Sequence, residues 1–168
     1  MGEVGCLKDG CFQNLQVEGT STIAGELIFK KNVTNINAAT SLNALKCGEI
    51  VLGAAVGTEQ AAGAGFQVKL PTPAAGLWFN FTLRPPSIAD DPTAAITILA
   101  TSNGDTPANI AVGSVTVNGA PANVVAGADT VTFVHNAATC GDYANCFCDG
   151  TNWFFTIVGD AAGSVTLA

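Results

Sequence analysis

The chain has 168 residues, 48% hydrophobic and only 11% charged, with 13 acidic against 6 basic side chains and a formal net charge of −7. That acidity repels nucleic-acid phosphates over the whole surface and argues against DNA or RNA as a partner. Mean hydropathy is positive at +0.38, yet no apolar run approaches the roughly 20 residues of a spanning helix, so no membrane span is expected. High hydropathy with few charges fits a subunit partly covered by copies of itself or by a partner.

In chain order, the opening "MGEVGCLKDGC" lacks the apolar core of a signal peptide, which makes reduced thiols in a cytosolic compartment the default. Residues 1–37 then form a unit of their own. In "NLQVEGTSTIAGELIF", Leu15 and Val17, then Ile23, then Leu27 and Phe29 mark short β segments separated by Gly turns. So few apolar residues cannot make a core, and such a segment is stable only against identical copies around an axis or laid onto a larger surface. The expectation is an extended anchoring or trimerisation segment over 1–37 and a β-sandwich domain over 38–168.

After a polar connector, "NVTNINAATSLNA", strands are predicted at 48–53, 66–71, 76–84, 94–101, 110–119, 129–135, 141–149, 152–159 and 163–168. A spacing of about ten residues with Gly, Pro or Asp turns between is the signature of a sandwich or barrel. The predicted fold class is therefore all-β, a β-sandwich or jelly-roll-like domain behind the N-terminal segment. The period is clearest at 76–84, where Leu77, Phe79, Phe81 and Leu83 share one face and Trp78, Asn80, Thr82 and Arg84 the other. Pro71 and Pro73 precede this strand, and Pro85 and Pro86 end it, because proline donates nothing to a ladder.

Six cysteines are the first candidates for chemistry: Cys6, Cys11, Cys47, Cys140, Cys146 and Cys148. Cys6 and Cys11 enclose four residues, a zinc-knuckle spacing, and the late trio adds further thiols. Against a metal site, Cys146 and Cys148 lie two apart in a predicted strand and share one sheet face with Phe147 on the other, where cysteines act as small apolar side chains. Disulfides such as Cys6–Cys11 or Cys140–Cys146 are the alternative, with Cys148 a further near neighbour, but unpaired thiols are the leading reading. The lone histidine, His135, ends a strand, and a Cys–His catalytic pair with Cys140 is the sharper but weaker reading beside a plain loop histidine. Asp90-Asp91 reads as a solvated turn in a Pro-bounded loop, and "GAAVGTEQAAGAG" as a surface loop without the Lys-Ser/Thr of a phosphate cradle. "SNGD" and "CDGTN" offer oxygen ligands in a spacing that matches no EF-hand-like calcium loop. The sequons at Asn32 and Asn80 read as strand and loop chemistry. No cofactor is expected and no catalytic set is assembled.

The second half carries a resemblance. "FQVKLPTPAAGLWFNFTL", "ITILAT", "VGSVTVNG", "TVTFV" and "CGDYANCFCDGTNWFFTIVG", in that order, resemble a pattern in virion surface proteins of tailed phages and large algal viruses. "LQVEGTSTIAGEL" is similar to the short β repeats that begin trimeric fibres and head-decoration proteins. The resemblance spans roughly residues 66 to 160 and departs at Cys146 and Cys148, where relatives carry other strand residues. It implies a capsid decoration, cement or fibre subunit, commonly a homotrimer, on the virion surface after synthesis in the host cytoplasm. Its partners would be the major capsid protein or other virion proteins. Trp78 and Trp153 are the candidate interface or ligand aromatics, with buried core the plainer fate of at least one, and a host glycan is the alternative partner, since aromatics and Asn/Asp-rich loops on a sandwich make sugar platforms.

Overall fold

The computed structural model describes residues 33–104 and 106–168. The β segments expected within 15–29, and Cys6 and Cys11 with their candidate disulfide, lie outside the described residues. The described chain is all-β, with twelve strands in two mixed sheets and no α-helix. In order these are β1 (Val33–Ile36), β2 (Thr40–Ser41), β3 (Gly48–Leu52), β4 (Phe66–Lys69), β5 (Trp78–Leu83), β6 (Ile96–Leu99), β7 (Ala111–Val117), β8 (Ala120–Ala128), β9 (Thr130–Phe133), β10 (Tyr143–Cys148), β11 (Trp153–Gly159) and β12 (Val165–Leu167).

The larger sheet runs β1-β3-β5-β10-β11-β7-β8 and the smaller runs β12-β9-β6-β4-β2. The first half of the domain is wound as a coil. The chain alternates between sheets from β1 to β6, and successive strands of each sheet lie parallel, β1 on β3 on β5 and β2 on β4 on β6. Parallel neighbours need a crossover, and here a strand of the facing sheet supplies it in place of a helix. The second half closes the coil with antiparallel pairs: β9 against β6, β10 against β5, and β12 against β9. Five of the ten strand pairs among the described residues are therefore parallel, a winding unlike the antiparallel double sheet of a jelly roll.

Alternation decides what each strand buries. Ile50 and Leu52 on β3, Phe79, Phe81 and Leu83 on β5, and Ile157 on β11 turn inward to meet Val68, Ile96, Ile98 and Phe133 of the smaller sheet in one core cluster. Each such large side chain contributes roughly 1.5–3 kcal/mol by leaving water. On the parallel ladder of β11 and β7, bulky residues stand opposite small ones: Trp153 by Ala111, and Phe155 by Gly113. That fit is close, because a Cβ at Gly113 would lie 2.6 Å from the Phe155 carbonyl oxygen.

The turns follow from local chemistry. Asn118 and Gly119, both at positive φ (48° and 73°), make the tight two-residue link between β7 and β8. The Asp91 carboxylate accepts from the Thr93 amide at 2.8 Å and its hydroxyl at 2.6 Å, capping the short 3-10 turn Pro92–Ala94. The hairpin of β10 and β11 has a four-residue loop, since Cys148 pairs with Trp153. Asp149 holds that loop by accepting from the Thr151 and Asn152 amides, each at 2.8 Å.

Three strands go beyond the predicted set. β1 and β2 lie at the junction read as a polar connector and N-terminal segment, where Ile36 is nonetheless a core residue. β8 follows the Asn118-Gly119 turn as an edge strand of mostly small residues; Pro121 within it and two register shifts against β7 suit an edge.

Candidate functional site

The pleat that buries one side of each strand in the larger sheet presents the other side outward. The pairing registers align those outward side chains in three rows. The first row crosses four adjacent strands as Trp78, Phe147, Phe154 and Val112. Trp78 is 38% and Phe147 56% exposed, and the Phe147 and Phe154 rings stack at 5.0 Å with planes 13° apart. Next to it runs a polar row, Glu49, Asn80, Asn145, Thr156 and Ser114, in which the Asn80 amide donates to Glu49 at 3.1 Å. The third row is mixed: Asn35, Val51, Thr82, Tyr143, Val158 and Thr116. Glu49 is the only formal charge in the three rows, on a chain of net charge −7.

The smaller sheet contrasts with this. Its outward residues are Ser41, Gln67, Lys69, Thr97, Thr130, Thr132 and Thr166, together with Leu99, which is only 6% exposed. Hydroxyls, an amide and an ammonium make this face polar. An outer sheet face that carries a row of aromatics and almost no charge has instead the composition of the centre of a protein contact.

The residues singled out in the sequence fall in different places. Trp78 lies on this face. Trp153 does not: it is wholly buried, 5.9 Å from the Phe79 ring, with its indole N–H unpaired, so it is a core residue and not a contact aromatic. Phe147 and Phe154, which complete the row, went unnamed as contact aromatics. Phe147 was legible as out of phase with Cys146 and Cys148, but its place beside Trp78 depends on the pairing of β10 with β5.

The described cysteines are free thiols, so the candidate links of Cys140 to Cys146 or Cys148 are not formed. Cys140 is exposed in the loop before β10, whereas Cys146 and Cys148 point inward into the core, and Cys47 is half-buried against it. Burial pushes the Cys146 thiol well up, and nearby Cys148 and Cys47 add to this against the smaller opposing effect of a Phe79 backbone hydrogen bond. A thiol held neutral in this way is neither nucleophile nor ready metal ligand. Cys148 Sγ accepts from the Gly150 amide at 3.3 Å, tying it to the hairpin loop. Among the described residues no group of three or more His, Cys, Asp or Glu is placed to hold a metal ion.

The carboxylates are engaged in loop structure. The Asp91 pKa is lowered, first by the Thr93 side-chain and backbone hydrogen bonds. Asp149 is lowered by the Asn152 and Thr151 amides it accepts from. Asp142, which the sequence did not mark, is 2% exposed and joins two loops, with Oδ1 accepting from the Asp160 amide at 2.9 Å and Oδ2 from the Thr139 amide at 3.1 Å. Burial raises its pKa, and those two hydrogen bonds only partly oppose the rise. It lines a cleft of about 430 Å³ with Cys140 and Asp160, where its oxygens are committed to backbone amides.

No helix of the described residues is long and apolar enough to cross a membrane. Comparisons with protein-family models, with curated proteins and with solved structures give no match.

Proposed function

We propose that the protein is a non-catalytic structural subunit of a virion surface, a capsid decoration, cement or fibre protein. The chain ahead of β1 anchors it and gathers it into a homotrimer, since Val33–Ile36 belongs to the sandwich, and that sandwich is presented outward from the major capsid protein or other virion proteins. The observation that carries this reading is the unequal treatment of the two outer sheet faces. The aromatic row of Trp78, Phe147 and Phe154 on an almost uncharged surface is what an assembly contact requires and what a free monomer avoids. The order of the motifs from Phe66 to Gly159, and the commitment of Asp91, Asp142 and Asp149 to turns and loops, agree with a protein built to assemble. Electron microscopy of purified particles tests it: density for the sandwich at symmetry-related surface positions is expected, and particles that lack the protein would dismiss the reading.

A second reading, a receptor-binding head that takes a host glycan, is favoured by one observation. Trp78 stands one pleat repeat from Asn80, with Asn145 on the next strand, so a ring face and amides are presented together. Glycan-array signals that disappear in Trp78→Ala would support it, and an empty array would remove it.

A further inference from the structure

We infer that the outer face of the seven-stranded sheet is where a second copy of this chain packs, sheet on sheet, about a two-fold axis that runs along the strands over β10. This deepens the proposed function and rests on its reading of that face as a covered surface. Four observations point to another copy as the occupant.

The first is symmetry. β10 is the fourth of seven strands, so three lie on each side of it. Phe147 sits on that central strand, with Trp78 one strand to one side and Phe154 one strand to the other. A two-fold along β10 keeps each row opposite itself and exchanges its two sides. Phe147 then meets its own counterpart, and Trp78 meets Phe154 of the second copy, in both directions at once.

The second is the polar row. Asn145, also on β10, meets its counterpart, and an amide pair donates and accepts reciprocally. Asn80 meets Thr156.

The third is charge. Two chains of net charge −7 repel, and the face on which they approach must not add to that. The one charge in its three rows, Glu49 on β3, comes opposite Ser114 on β7 and never opposite the other Glu49, while Arg84 beyond the end of β5 donates to the Gly53 and Ala54 carbonyls.

The fourth is area. Rows that cross four, five and six strands about 4.8 Å apart, at about 3.3 Å per residue, make a face of roughly 24 by 20 Å. Its roughly 500 Å² per copy, about 1,000 Å² for the pair, is the least a specific interface needs, and twisted sheets pack in this aligned manner at about 10 Å separation.

The pairing and the proposed trimer are separate symmetries, so the full chain should form two copies, or six where both operate. Light scattering on the full-length protein at micromolar concentration should give an even multiple of 16.9 kDa. Trp78→Lys and Phe154→Asp should each halve that mass, and an equimolar mixture of the two variants should restore it, because the new lysine then faces the new aspartate. Far-UV circular dichroism and a cooperative melt establish that each variant is folded. Should Phe154→Asp not fold, Thr82→Lys with Val158→Asp makes the same test, since those residues also exchange across the axis. A wild type of one or three chains, single variants that keep the wild-type mass, or a mixture that fails to recover it would each overturn the inference. A monomer found on purified particles would remove the pairing and leave the virion role standing, whereas a dimer absent from particles would do the reverse.

Discussion

The two outer faces of this sandwich come from one backbone rule and yet have opposite chemistry. On the smaller sheet the outward positions of β4, β6, β9 and β12 include Gln67, Lys69, Thr97, Thr130, Thr132 and Thr166. Threonine suits that role, since it has the β-branched shape a strand favours and a hydroxyl that water satisfies. On the larger sheet the equivalent positions include Trp78, Phe147 and Phe154, with Val51, Tyr143 and Val158 beyond a polar row from Glu49 to Ser114. β propensity is satisfied on both faces, so propensity does not explain the difference. What differs is the cost of leaving each face wet, and only the aromatic face lowers its free energy by being covered.

The comparison can be broken from the inside first. If Trp153 is core and Trp78 is contact, the two tryptophans must answer differently to truncation. Trp153→Ala should cost about 3–5 kcal/mol in urea unfolding, as large-to-small changes in a packed core do. Trp78→Ala should leave monomer stability within about 1 kcal/mol and act on association instead. Equal losses in the two variants would mean that the outer face is not a separate functional surface.

The next effect lies at the rim and isolates fold from face. Asp142→Ala leaves the Asp160 and Thr139 amides without their acceptors, which should cost about 1–3 kcal/mol with no change in oligomeric mass. Its pH dependence has a definite sign. Burial raises the Asp142 pKa, so the fold prefers the protonated form. That contribution is full below the ordinary carboxylate range and is lost as pH rises through the raised folded value. The stability of the wild type relative to Asp142→Asn should therefore grow on acidification, and unfolding curves at a series of pH values that show the reverse trend would refute the assignment.

Smaller still is Phe147→Thr, which makes the centre of the aromatic face resemble the other sheet. Loss of the stacked contact with Phe154 should cost about 0.5–1.5 kcal/mol. A lowered oligomeric mass should accompany it. Smallest of all is Thr132→Lys on the solvated face, expected to stay within about 0.5 kcal/mol with no change in mass. A loss of association there would place the contact on the wrong sheet.

Much of the strand content was legible because alternation and turn chemistry are local. Phe79, Phe81 and Leu83 were readable as one inward face before any neighbour was known, and nine predicted segments each contain a strand. The edge strand β8 was missed although Asn118-Gly119 is a strong hairpin signal, because the small residues and Pro121 after it hide the period. β1 and β2 were missed because four and two residues are too few to show a period at all.

The candidate face was legible only in pieces. From the sequence alone Trp78 is an outward aromatic, and Phe147 opposes two cysteines in phase. Which strand lies beside which is a non-local matter, decided by how the coil from β1 to β6 is closed by β10 between β5 and β11. That closure stacks Phe147 on Phe154, sets Trp78 beside them and buries Trp153. The three thiols of "CGDYANCFCDGTNWFF" divide for the same reason, two facing the core and one left in a loop. The amino-acid order by itself determined the inside and outside of each strand, because the pleat alternates whatever the partner. Only the tertiary structure decided which outsides meet in a row, because ladder hydrogen bonds join backbones without regard to the side chains they align.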